Sequence, residues 1–349
     1  MIRKYSESDR EAFEAFVSGH KNGSFMQSSF WPLVKKEWQS VILLSVDESG
    51  AIKGTISVLI RKMPIPLFNV VVAYAPRGPV CDYTDLGTFK ELTDAAALEA
   101  KKMGACVLKM DPDKPFDDEE LIAAAKALGL KITVHGLAYE NMQPICNHKI
   151  DLTAVGGSEG AMKYFNSRTR NHIRTAEKRG AAVAEGTEKD VPEFYEVIKA
   201  TEERKSISLR DEGYYYRMLE SIPAENLLFL VARVEDRMIA GAIFILYGKT
   251  VTYSYSAMAN DCSHYNAMYL IQKDIISLSS DRGFEVYDMG GVDGNHPDEG
   301  VAVFKQNFGG RVIRNIGELD KPIKRFKYWL FNFSLGTGRK LLRLFKRKK

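Results

Sequence analysis

The chain of 349 residues is 45% apolar and 27% charged, the balance of an ordinary folded protein, which excludes a disordered, collagen-like or disulfide-stapled chain. Its net charge of +4 is uneven: residues 321–349 hold eleven Lys and Arg and no acid, leaving 38 basic against 45 acidic residues before them. Nucleic acid is therefore not gripped all over, and any polyanion must meet a local patch.

The length predicts two domains or one large one. Residues 41–61 give two β-rich runs around the turn 47–50, a hairpin. A third strand covers 70–74 and closes at Pro76, Gly78 and Pro79. Leu86, Phe89, Ala96, Ala100 and Met103 recur near helical spacing, and Gly104 ends that helix. The next strand delivers Asp111 at its end. Residues 227–253 repeat the plan, with a hairpin around 235–237 and a further strand. A helix over 265–280 stops at Gly283, and strand 284–288 ends in Asp288. Both halves run hairpin, strand, helix, glycine, strand, acid. This reads as an internal duplication, although many α+β domains share such an order. The boundary is expected near 141–153, without a Gly/Ser linker.

Cysteines 81, 106, 146 and 262 form no C-x-x-C pair, which predicts free thiols in a reducing cytosol and no zinc site. The histidines lack metal-ligand spacing. The start of the chain lacks an apolar signal core, and no run reaches the roughly 18 apolar residues of a membrane span. The expected location is cytoplasmic.

Four segments hold candidate chemistry. In 25–38, a helix from Ser28 or Ser29 places Trp31, Lys35 and Trp38 on neighbouring faces, where an ammonium between aromatics can hold a phosphate; on spacing alone an amphipathic helix with Trp in the core and Lys in solvent fits better. In 74–83, a proline-stiffened loop carries Arg77, for binding or as an exposed crossover residue. In 158–180, one helix capped by Ser158 and Gly180 aligns Arg170, Arg174 and Lys178, with Arg168 and Arg179 beside them. Phosphate backbone is the natural partner of that row, and a solvated face is the alternative. In 287–320, a glycine-rich loop after Asp288 precedes Phe304 and Lys305, a cation suited to developing negative charge, with Glu318 close in sequence. Phosphate-loop and dinucleotide fingerprints are missing.

Trp31-x-x-x-Lys35-x-x-Trp38, Pro76-Arg77-Gly78-Pro79, Asp111-Pro112, Ile150-Asp151-Leu152-Thr153, Arg168-x-x-x-x-Ile173-Arg174-x-Ala176, Tyr287-Asp288-x-Gly290-Gly291 and Phe304-Lys305-x-x-Phe308-Gly309-Gly310 occur in this order. The ordered set, over roughly residues 1–320, resembles the FemABX family of tRNA-dependent aminoacyltransferases that build peptidoglycan cross-bridges. The resemblance implies an α+β fold of two tandem GNAT-like domains. It assigns 1–145, completed by 317–349, to the first and 146–316 to the second, with 328–349 as a basic, membrane-contacting tail. With no room for a coiled-coil arm between Glu202 and Tyr214, it is the compact, FemX-like subgroup that the chain resembles.

The implied reaction moves an amino acid from aminoacyl-tRNA to the stem-peptide amine of a peptidoglycan precursor, with lipid II favoured over UDP-MurNAc-pentapeptide, and needs neither metal nor cofactor. The resemblance makes Lys305, Asp111 and Glu318 catalytic. It gives Lys35 (or the adjacent Lys36), Arg210, Tyr214 and Trp38 to the precursor diphosphate, and Arg168, Arg170, Arg174, Lys178 and Phe304 to tRNA. The tail, through Trp329, Leu330, Phe331 and Phe333, suits a peripheral contact with the inner face of the membrane, and a helix packed on the first domain with a frayed basic end is the equal alternative. Two alternatives stand beside this. One is an acyl-CoA-dependent GNAT N-acyltransferase, whose pyrophosphate loop 306–311 misses at its last position. The other is a non-catalytic module binding nucleic acid or membrane.

Overall fold

The computed structural model describes residues 1–63, 69–205 and 210–333. The chain divides into two compact units, residues 1–135 with 315 onward, and residues 136–314. The first boundary lies before the expected 141–153. Leu137 packs on Ile145, Cys146, Val292 and Ala302, and the Leu137 carbonyl accepts from Gly294 N–H at 2.9 Å. The connecting segment therefore belongs to the second unit. The expectation for the tail beyond residue 333 lies outside the described residues.

The strands are β1 (Ile2–Lys4), β2 (Gln39–Val46), β3 (Ile52–Lys62), β4 (Val71–Ala75), β5 (Val80–Cys81), β6 (Val107–Met110), β7 (Lys131–Thr133), β8 (Cys146–Asp151), β9 (Ala182–Glu185), β10 (Leu227–Val234), β11 (Arg237–Tyr247), β12 (Thr250–Met258), β13 (Val286–Gly291), β14 (Arg311–Arg314) and β15 (Glu318–Pro322). Unit 1 orders them β1-β2-β3-β4-β6-β15-β7, with β5 on β3; unit 2 orders them β14-β8-β13-β12-β11-β10-β9. Each sheet has one parallel pair, β4 with β6 and β12 with β13, amid antiparallel neighbours. In each, a hairpin leads into the first parallel strand and a helix carries the chain to the second. Those helices are Leu86–Lys102 and Ala267–Asp281. The two units thus share one plan.

The helix Leu86–Lys102 shows why the plan forms. The Asp85 carboxylate accepts from Thr88 N–H at 3.0 Å, satisfying a donor that the first turn leaves open. Phe89, Leu92, Ala96 and Ala100 bury one face against the sheet residues Ile56, Val58, Leu108 and Met110. Gly104 follows at φ +88, a conformation that costs glycine little.

Residues 158–180 form two helices where one was expected, Gly157–Tyr164 and Ser167–Lys178. Asn166 caps the second, accepting from Thr169 N–H at 2.9 Å, and Phe165 turns into the core beside Phe308, ring centroids 5.8 Å apart. Gly156 and Asn166 therefore cap the helices in place of Ser158, whose N–H donates to Asp281. Gly310 locks the far side. It sits at φ +79, where an added Cβ would lie 2.4 Å from the Lys149 carbonyl oxygen. Gly310→Ala is expected to destabilise the protein by about 1–3 kcal/mol or more. Thermal unfolding should show a Tm drop of roughly 2–4 °C per kcal/mol, and an unchanged Tm would remove the strain argument.

Candidate active site

Unit 1 gathers charge on one face of its sheet. Asp320 pairs with Lys109 and Leu319 with Met110 across β15 and β6, so the same register sets Glu318 opposite Asp111. Side chains alternate along a strand. Lys109, Asp111, Glu318 and Asp320 thus share a face, while Leu108, Met110 and Leu319 enter the apolar core on the other. All four charged residues are buried. The Lys109 ammonium lies 2.7 Å from Glu318 and 2.5 Å from Asp320. Asp111 accepts from Tyr74 Oη and from Arg77 N–H, both at 2.7 Å. Burial pushes the Asp111 carboxyl up to about 6, with Arg77 and Tyr74 opposing and the Glu318 charge adding to the rise.

Arg77 is buried, and its loop is stapled in place. Gln27 donates to the Pro76 carbonyl at 2.8 Å and accepts from Ser57 N–H at 2.8 Å. An exposed Arg77 on a crossover is thus corrected: its backbone, at φ +57, aims an N–H at Asp111.

The helix expected to run through Trp38 is a single turn, Trp31–Val34. The chain leaves helical geometry at Lys35 (ψ 43), so the i, i+4, i+7 alignment does not form. Lys35 Nζ sits 4.5 Å from the Trp31 ring centroid, while Trp38 carries Arg61 at 5.6 Å. The buried residue of the lysine pair is Lys35; Lys36 is exposed.

In unit 2, Lys305 lies near the end of the helix Gly300–Gln306 and is 5% exposed. Its ammonium donates to the Gly291 carbonyl at 2.8 Å. It borders a cavity of about 530 Å³ lined by Tyr253, Ser256, Met268, Gly290, Gly291 and Phe304 among others. Asp288 accepts from Gly290 N–H at 2.7 Å and so shapes the strand end beneath Lys305. His148 donates from Nε2 to the Gly309 carbonyl at 2.6 Å. Burial, with the Lys305 charge adding, lowers its basicity, which fits a neutral ring.

An aromatic row joins this cavity to the basic helix. His172 stacks on Tyr269 at 4.4 Å, and Tyr269 meets Phe304 at 5.2 Å and Phe308 at 5.3 Å. Arg168, Arg174 and Lys178 are exposed on that helix. Arg170 turns back to donate to the Phe165 carbonyl and so also closes the preceding helix.

Arg210 and Tyr214 come together, the guanidinium 5.2 Å from the ring centroid. Arg217 brings a second guanidinium to the same ring at 5.5 Å. Its ion-pair partner Asp211 is 4.0 Å away and 75% exposed. Sequence reasoning missed Arg217, although its place at i+3 from Tyr214 on the helix Glu212–Ser221 is a signal that could have found it. Lys109 carries no such signal, since it sits in an apolar run. Lys35, Asp111 and Glu318 belong to unit 1, and Arg210, Tyr214, Phe304 and Lys305 to unit 2.

Comparison with known proteins bears on the whole chain. It is 28% identical to a UDP-N-acetylmuramoylpentapeptide-lysine N(6)-alanyltransferase of Weissella viridescens, over 90% of this chain and 93% of that one. It is 25% identical to a lipid II:glycine glycyltransferase of Staphylococcus haemolyticus, over 91% and 92%. Among solved structures, FemX superposes with a TM-score of 0.83 at 21% identity, covering 94% of this chain and 99% of that one. A tandem GNAT protein from the clavulanic acid biosynthesis pathway superposes at 0.55 with 9% identity, over 93% and 98%. The fold is accordingly α+β, two GNAT-like domains in tandem. The FemAB family matches residues 9–237 and 233–334, nearly the whole sequence, and the chain belongs to that family.

Proposed function

We propose that this protein transfers an aminoacyl group from the 3′ end of a charged tRNA to the stem-peptide amine of a peptidoglycan precursor. The observation that carries the reading is the unit 2 cavity. It has a buried lysine in its lining, and an aromatic row leads from it to a basic helix. Aromatic rings and exposed cations together suit a single-stranded RNA end. In the reaction the amine nitrogen bonds to the ester carbonyl, and the bond from that carbon to the ribose oxygen breaks. Lys305 stabilises the oxyanion or the leaving oxygen. Asp111 accepts the amine proton, with Glu318 as its neighbour, and the ribose oxygen leaves as a hydroxyl by taking up a proton from water. The chemistry draws on an ester already activated by the tRNA. The W. viridescens relative, a UDP-N-acetylmuramoylpentapeptide-lysine alanyltransferase, supports an acceptor of the UDP-linked class.

A lipid-linked acceptor has separate support. In the helix 325–333, Phe326, Trp329 and Phe333 are exposed and stacked in series, at 6.2 Å and 5.6 Å. Arg325 is exposed on the same helix. Phe331, expected at the membrane, is instead buried with Tyr328 against Val72 and Val107. Among the described residues, no helix is long and apolar enough to cross a membrane. The deciding experiment incubates the protein with mixed charged tRNAs and each precursor, UDP-linked and lipid-linked, and reads the stem peptide by mass spectrometry. Failure to add an amino acid to either would sink the reading.

Arg210 and Arg217 on one ring suit a dianion such as a diphosphate, because two like charges there gain from a shared anion. Arg210→Ala is expected to weaken precursor binding roughly 10-fold or more, and Arg217→Ala should act in the same direction. Arg210→Lys should also be impaired, because an ammonium lacks the guanidinium fork. Calorimetric titration with precursor and with aminoacyl-tRNA separates the cases. Equal weakening of both substrates would place these residues outside a precursor site.

A further inference from the structure

Lys109 is 1% exposed, and its single ammonium meets two carboxylates, Glu318 at 2.7 Å and Asp320 at 2.5 Å. Burial works against that charge, yet Asp320 and Glu318 outweigh it and hold the ammonium above its ordinary range. Buried ions gain little stability over apolar side chains of similar volume. The opposite face of the same strands is filled by Leu108, Met110 and Leu319, so packing alone does not call for a charged triad here.

The two carboxylates are held differently. The second oxygen of Asp320 accepts from Tyr328 Oη at 2.8 Å, which anchors the ammonium from behind. Glu318 falls opposite Asp111 when the register of β15 on β6 is continued, and its charge increases the proton affinity of Asp111. Among the described residues, the groups that face Glu318 include Lys109 of β6, Asp111 just past the end of that strand, Asp320 on its own strand, and His135, whose Nε2 is 3.5 Å away. Tyr74 and Arg77 stand behind Asp111.

We propose that Lys109 is the positioning residue of the proton acceptor: its ammonium keeps Glu318 ionised and fixed beside Asp111, with Asp320 and Tyr328 as its anchor. This rests on the reading of Asp111 and Glu318 as reaction-centre carboxylates. Neighbouring carboxylates compete for one proton. The Lys109 cation settles that competition, so the proton taken from the amine goes to Asp111. Without the cation the pair binds a shared proton at higher pH, and the acceptor is already occupied when the amine arrives.

Lys109→Met alone leaves two buried anions and is expected to unfold the protein, so the test uses the pair Lys109→Met with Asp320→Asn, which removes one charge of each sign. The acid limb of the kcat/KM–pH profile should move up by about one pH unit or more, with activity recovering at alkaline pH. Asp320→Asn alone retains the Lys109–Glu318 pair and should show no upward shift. Lys109→Arg keeps the charge and should hold the limb at its wild-type position. Carbon-detected titration of labelled Asp and Glu side chains, assigned with Asp111→Asn and Glu318→Gln, should show the same rise without any turnover. A paired variant with the wild-type limb and wild-type carboxyl titration overturns the proposal. If Glu318→Gln and Asp111→Asn turn over like wild type, the reaction-centre reading fails first and the positioning role falls with it; the carboxyl titration tells these two failures apart.

Discussion

Lys305→Met is expected to lower kcat by about 10²–10³-fold while leaving KM for both substrates nearly unchanged. Met has similar length and keeps the apolar stem. Ala302 and Phe308 remain buried on either side to hold the short helix. What disappears is a cation 2.8 Å from the Gly291 carbonyl, at the border of the cavity. A group that acts only on charge developing in the transition state shows in kcat rather than KM. Single-turnover rates with preloaded substrates measure this directly. A variant that turns over at the wild-type rate would take Lys305 out of the mechanism, and a rise in KM alone would make it a binding residue.

The second large effect is at Asp111, where Asp111→Asn removes the proposed proton acceptor and should cost roughly 10²–10⁴-fold in kcat. The same carboxyl makes a separate prediction about stability. Its folded pKa of about 6 lies above the 3.8 of an ordinary Asp, so the folded state binds its proton more tightly than the unfolded one. Stability from this group is fully present below about pH 4 and is lost as pH rises through about 6. Each pKa unit is worth about 1.4 kcal/mol, so the total is about 3 kcal/mol. Denaturant unfolding from pH 4 to pH 7 should show wild type losing stability relative to Asp111→Asn. Parallel curves for the two proteins would contradict the burial argument, and an increase would reverse its sign.

Strands and their order were legible in the sequence where one pattern dominated. The hairpins β2–β3 and β10–β11 and the helices Leu86–Lys102 and Ala267–Asp281 follow from β-rich runs, apolar spacing and terminal glycines. The break at Phe165–Asn166 was misread because an unbroken row of Arg and Lys suggests one helix, while Asn is a strong cap that only competes when its neighbour turns inward. The Lys35 alignment failed for the reverse reason: a single helical turn, started by Ser28 Oγ accepting from Trp31 N–H at 3.2 Å, gives way before the i+4 position. Asp111 was visible at a strand end. Lys109 was not, because a charge inside an apolar strand has meaning only once Glu318 and Asp320 arrive from about 200 residues later. Sequence spacing holds no record of that meeting.

The placement of β15 between β6 and β7 also bears on synthesis. When residues 1–135 leave the ribosome, the strand that joins β6 to β7 has not been made, and two strand edges stand open. About 180 residues of the second unit intervene. At 5–20 residues per second the wait is roughly 10–40 s. During that interval the nascent first unit is a natural client for chaperones, whereas residues 136–314 hold every strand of their own sheet among the described residues. Translation that stops before Glu318 would therefore strand an aggregation-prone sheet rather than release a protein lacking only its tail.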